Sequence, residues 1–173
     1  HYVKGLEYMS ISNFYAAKDA FDLALGKFKI LLKESKRKKS HDGIADEKRK
    51  DIVSLEHDIT SSEKWMCDCL CYLVKENSLN ARDYCNEANS LLDETQKKLV
   101  ENGSERRAAN CIFSRAWINF YTFGLTDKVE EYLKNLDEKK SILIEDAYYT
   151  GKYNDLMKDV AAARKKKNTG KEK

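Results

Sequence analysis

Not one proline interrupts the 173 residues of this chain, and only seven glycines do. Proline removes a backbone donor and clashes with the preceding turn, so it is the residue that most often stops a helix. A chain of this length without it has little to break an i to i−4 hydrogen-bond ladder. No long Val/Ile/Thr run alternates at period two, whereas apolar residues recur at steps of three and four. The expected class is all-α. A length of 173 residues suits one domain with a substantial core. Charged residues make up 35% of the chain with both signs interleaved, the mark of solvated helix faces.

With so few breakers, each carries weight. Turn or cap clusters fall at Ser12-Asn13, His41-Asp42-Gly43, Asn77-Ser78, Asn102-Gly103-Ser104, Gly124 with Thr126-Asp127, and Thr150-Gly151. Cutting there predicts about seven helices: Tyr2–Ile11, Phe14–Arg37, Ile44–Val74 with a break near Ser61-Ser62, Leu79–Val100, Glu105–Phe123, Asp127–Tyr149 and Tyr153–Lys166. Short links between long helices make sequence neighbours antiparallel. The expected architecture is a row of helical hairpins over residues 1–163, followed by a basic, disordered tail over 164–173. The chain opens on His1 and reads as a fragment of a longer protein.

A repeat distinguishes a stacked row from a closed bundle. Gly5, Tyr8, Ala17, Phe21 and Ala24 are separated by 3, 9, 4 and 3 residues. Cys69, Tyr72, Ala81, Cys85 and Ala88 repeat those steps, with Trp65 four residues ahead of Cys69. A weaker copy is Trp117, Phe120, Val129, Leu133 and Leu136, and a last trace is Ile144, Ala147, Leu156, Val160 and Ala163. Small residues recur where two helices would cross closely. The pattern resembles the tetratricopeptide repeat, whose two-helix unit is about 34 residues long and carries Trp/Gly/Tyr followed by Ala/Phe/Ala. The resemblance is best over 1–34 and 62–95, fair over 110–136 and poor over 137–170. No copy ends on the family's proline, and a gap holding a basic run separates the first two. The resemblance implies a short TPR-like α-solenoid; the competing reading is a generic helical bundle. Tyr2–Leu32, the polar stretch after it, and Trp65-Met66-Cys67 also look like the large TPR-like protein subunit of the signal recognition particle.

Signs of chemistry are few. Cys67, Cys69 and Cys71 are spaced by one residue on a predicted helix, so successive thiols diverge and only Cys67 and Cys71 share a face. Cys85 and Cys111 supply no second pair, and all five cysteines read as small apolar core residues. His1, His41 and His57 join no nucleophile, and there is no Gly-rich phosphate loop, HExxH or GxSxG. The expectation is no catalytic residue, no metal, no cofactor and no small-molecule substrate. No apolar run approaches the ~20 residues of a membrane span, and reduced thiols fit a cytoplasmic or nuclear chain.

Two features point outward. Trp65 and Trp117 hold equivalent repeat positions and are expected core anchors, but AWINFYTF (116–123) is denser in rings than one helix face can bury. Some of these rings are expected to line a groove or meet a neighbouring chain, and Tyr148, Tyr149 and Tyr153 to cap an open solenoid end or meet another subunit. The second feature is basic: Lys36, Arg37, Lys38 and Lys39, then Arg164, Lys165, Lys166 and Lys167. A helix C-terminus favours one or two cations, but four in a row repel one another. Either these runs are solvated helix ends or they meet a polyanion such as RNA. The expected function is a non-catalytic scaffold whose partner is another protein subunit or a peptide; the alternative is an RNA-binding subunit of a ribonucleoprotein.

Overall fold

The structure, a computed structural model, describes residues 1–39, 46–76 and 79–169, and the side chains of 38, 39 and 46–49 lie outside that description. Eight helices and no strand occur among the described residues: α1 Tyr2–Ser10, α2 Phe14–Lys39, α3 Asp46–Glu76, α4 Ala81–Glu101, α5 Glu105–Phe123, α6 Asp127–Glu138, α7 Lys140–Leu143 and α8 Ala147–Thr169. The chain divides into two compact units, His1–Tyr72 and Leu73–Lys173.

In the first unit α1 packs on α2. The turn between them places Ser12 at φ 58, and Asn13 Oδ1 accepts from the Ala16 amide at 3.2 Å to start α2. Ala17, Phe21 and Ala24 share one face of α2 and are buried. Phe21 is the hub. Its ring takes the space a Cβ on Gly5 would occupy, 2.6–2.8 Å from it. Tyr2 meets the same ring edge-on at 5.6 Å, and Trp65 stacks on it at 6.1 Å. Trp65 Nε1 donates to Tyr2 Oη at 3.1 Å, and Cys69 Sγ lies 3.3 Å from Met9 Sδ. Along α2, Phe14 stacks on Tyr72, Phe21 on Trp65, Lys29 pairs with Glu63 and Lys36 with Glu56. α3 is unbroken at Ser61-Ser62: the Ser62 hydroxyl donates to the Asp58 carbonyl within the same helix, so it adds to the ladder without interrupting it.

The second unit is built around α5, which packs against α4, α6, α7 and α8. Ala108, Ala109, Cys111, Phe113, Ser114, Ala116, Trp117, Ile118, Asn119 and Phe120 are all buried. A helix covered on most sides needs apolar residues all round. The ring-rich AWINFYTF segment is therefore mostly internal packing: Trp117 and Phe120 are in the core, and Phe123 is exposed. Tyr149 and Tyr153 are also buried, which overturns the expectation that they meet another chain, and Phe113 meets Tyr149 edge-on at 5.6 Å. Of the three tyrosines, Tyr148 is exposed.

The expected sixth helix, Asp127–Tyr149, is divided. The Lys139 amide donates to Leu136 C=O at 3.1 Å and ends α6. Leu143, fully buried, then turns α7 inward, and Asp146 Oδ1 accepts from the Tyr148 amide at 3.0 Å to open α8. The break expected at Thr150-Gly151 does not form. Tyr149, Tyr153, Leu156 and Val160, at steps of four, three and four, make a buried stripe that runs past Gly151. Burial along that stripe outweighs the ~1 kcal/mol cost of a glycine in a helix. This shift also exposes Ile144 and Ala147, so the last repeat trace keeps only Leu156 and Val160 fully buried.

The other repeat positions fall inside. Gly5, Ala17, Phe21, Ala24 and Cys69 are buried in the first unit, with Tyr8, Trp65 and Tyr72 half-buried. Ala81, Cys85, Ala88, Trp117, Phe120, Val129, Leu133 and Leu136 are buried in the second. The basic run at 164–167, expected in a disordered tail, is helical, because α8 continues to Thr169; residues 170–173 lie outside the described residues.

Candidate interaction surfaces

The two basic runs lie in different units and differ in how far their charges are already answered. In the first, Lys36 Nζ is 2.8 Å from Glu56 Oε1, whereas Arg37 is exposed. The side chains of Lys38 and Lys39 lie outside the described residues. In the second, the Arg164 guanidinium grips the Glu130 carboxylate on α6. That contact holds the Glu130 carboxyl below its ordinary range and raises Arg164. Lys167 Nζ reaches the Leu125 carbonyl at 3.4 Å. Lys165 and Lys166 are exposed. Near the end of α8 these cations also face the negative end of the helix dipole, which lowers the cost of gathering them.

A second surface has no counterpart in the sequence reading. α4, α5 and α6 enclose an open cavity of ≈390 Å³, lined by Asp93, Gln96, Ile112, Arg115, Tyr132, Asn135, Glu138 and Lys139. A shallower cavity of ≈440 Å³ shares Asp93 and Gln96 and continues along α4 past Lys97 and Val100 to Glu101. The two meet at Asp93 and Gln96, and the cavity between α4, α5 and α6 is the trough. Arg115 is its best-fixed charge. Nη2 sits 2.6 Å from Asp93 Oδ1, and the guanidinium lies 5.9 Å from the Tyr132 ring centre. The Arg115 side chain is 16% exposed and Asp93 69%, so the arginine forms the wall and the aspartate the rim. The floor is pinned one turn further along: Asn119 Nδ2 donates to the Arg115 carbonyl at 2.8 Å and to Asn89 Oδ1 at 3.1 Å, tying α5 to α4.

The trough mixes fixed charge, amide groups and apolar floor. That suits the alternating polar backbone and side chains of a peptide better than a small apolar ligand. It was not legible in sequence because its residues come from three helices, and steps such as Ile112/Arg115 or Tyr132/Asn135 look like any helix face until α4 and α6 flank α5.

All five cysteines are buried, and none is in a disulfide. Burial, with Asp68 next to it, pushes the Cys69 thiol up to about 12, and burial also raises Cys85. No group of three or more metal-ligating side chains is gathered among the described residues. No described helix is long and apolar enough to cross a membrane. The chain matches no family model, no curated protein and no solved structure.

Proposed function

We propose that the protein is a non-catalytic interaction scaffold, a degenerate TPR-like array that holds a peptide segment of another subunit in the α4–α6 trough. The trough is the observation that carries this reading: a polar-walled groove whose arginine is already oriented by Asp93 and Tyr132. A preoriented charge lowers the ordering cost of binding. Two further features support the TPR-like part. Partners on α3 descend from Tyr72 to Glu56 as positions on α2 rise from Phe14 to Lys36, the order an antiparallel hairpin requires. Gly5 admits the Phe21 ring, the close crossing for which the repeat places a small residue there.

The test is selection of binders from a displayed peptide library, followed by anisotropy titration. Gln96→Trp, which fills the trough, should weaken the selected peptides at least tenfold with helix content by circular dichroism unchanged. A library that yields no binder, or binders indifferent to Gln96→Trp, refutes the trough as the site.

The exposed Arg37, Lys165 and Lys166 favour one further reading, a ribonucleoprotein subunit like the large TPR-like subunit of the signal recognition particle. On that reading Lys165→Glu with Lys166→Glu flattens the salt dependence of RNA affinity, because each phosphate contact contributes about one unit of slope. RNA binding that keeps its salt slope in this variant rules it out.

A further inference from the structure

The outward face of α2 is charged, apolar and arranged with an unusual symmetry. Phe14, Ala17, Phe21 and Ala24 point α2 at its neighbours in the first unit. On the opposite side Asp19, Asp22, Leu23, Gly26, Ile30, Lys33 and Arg37 fall on one face of the helix, and every one is exposed. Leu23 and Ile30 are 56% and 60% exposed, one on each side of Gly26. Nothing lies within 4 Å of where a Gly26 Cβ would stand, so no packing inside the chain calls for glycine there. A glycine within a helix costs about 1 kcal/mol relative to alanine. Asp19 and Asp22 precede the glycine on this face and Lys33 and Arg37 follow it, with Glu34 the one acid among the bases.

We infer that this face is a self-association surface whose partner is a second copy of the same chain, the two α2 helices crossing antiparallel at Gly26. A two-fold interface brings the same patch of each subunit onto itself, so the patch must be its own complement when turned end for end. This one is. Reversed about Gly26, position 19 falls opposite 33 and position 15 opposite 37. Asp19 of one copy then sits opposite Lys33 and one turn from Arg37 of the other, and Asp22 one turn inside Asp19. The symmetry makes each such contact occur twice. A parallel arrangement would instead set acid on acid and base on base, so the charges select the antiparallel one. At the centre the two glycines allow close approach of the helices, and Leu23 and Ile30 of both copies cover the crossing. The proposal is independent of the peptide trough, which lies in the other unit and shares no residue with it.

The test is molecular mass by light scattering on the 173-residue chain at about 100 μM, low salt and neutral pH. The expected mass is twice that of the chain. Asp19→Lys with Asp22→Lys leaves Glu34 as the one acid on the face, and Lys33→Asp with Arg37→Asp makes the face acidic; each variant alone should run as a monomer. Mixed in equal amounts, they should regain the doubled mass as a heterodimer, because opposite faces then meet along their whole length. Recovery in the mixture also shows that both variants are folded. If one variant loses its helix content, Gly26→Leu, which leaves the charges intact and blocks the crossing, must by itself halve the mass. A native chain that is monomeric at this concentration, a larger assembly, or charge-reversed variants that keep the native mass would each overturn the proposal.

Discussion

Gly5 shows how much a single missing methyl can decide. Its absent Cβ leaves room for a ring that is itself held by Tyr2 and Trp65, so the ring has little freedom to yield. Gly5→Ala should therefore cost about 1–3 kcal/mol even though alanine is the better helix former, because overpacking outweighs propensity here. Ala17→Leu and Ala24→Leu, both at buried positions on the same face, should cost a similar amount. Urea denaturation reads all three; a neutral Gly5→Ala would show that Phe21 can move aside. Gly5 and Ala17 were recognisable as small residues at repeat spacing. That the neighbour of Gly5 is an aromatic ring shared by three helices was not, since no local pattern encodes it.

Among the elements, α8 departs furthest from its sequence pattern. Local signals favoured a break at Thr150-Gly151, but the buried stripe from Tyr149 to Val160 carries the helix straight through. Gly151 then sits exposed in a helix with open space around it. Gly151→Ala should stabilise the protein by roughly 0.5–1 kcal/mol, visible as a higher urea midpoint at unchanged slope. A destabilising result would mean that α8 does not run unbroken through this position. By contrast, the turn before α6 was readable. Gly124 takes φ 68, Thr126 follows, and its Oγ1 accepts from the Val129 amide at 3.2 Å, a capping pattern written in four consecutive residues.

Taken whole, the molecule keeps its thiols inside, and this sets how stability varies with pH. Cys69 is raised from 9.0 to about 12, and Cys85 is raised as well. Both are neutral when protonated, so below pH 9 the folded and unfolded chains hold the proton alike and this stabilisation is fully present. Above pH 9 the unfolded chain releases its thiol protons while the folded chain retains that of Cys69 until about pH 12. Stability should fall progressively across that window, and Cys69→Ala should flatten the fall; midpoints of urea unfolding measured from pH 8 to 11 decide it. A decline just as steep in Cys69→Ala would place its origin elsewhere, for example in tyrosine ionisation.

The sequence alone determined the all-helical class, most helix positions and the inward-facing residues of the first repeat copies. Those follow from backbone chemistry and from 3.6-residue periodicity, both of which act within a few turns of chain. Tertiary structure decided the rest. It made α5 a helix covered by four others, turning ring density that suggested an outer surface into core. It also carried α8 through a glycine and gathered the trough from three helices. In each case the deciding energy comes from burial against residues distant in sequence. A local pattern records only that a side chain is apolar or charged, and the packed neighbour determines whether it becomes core, wall or exposed face.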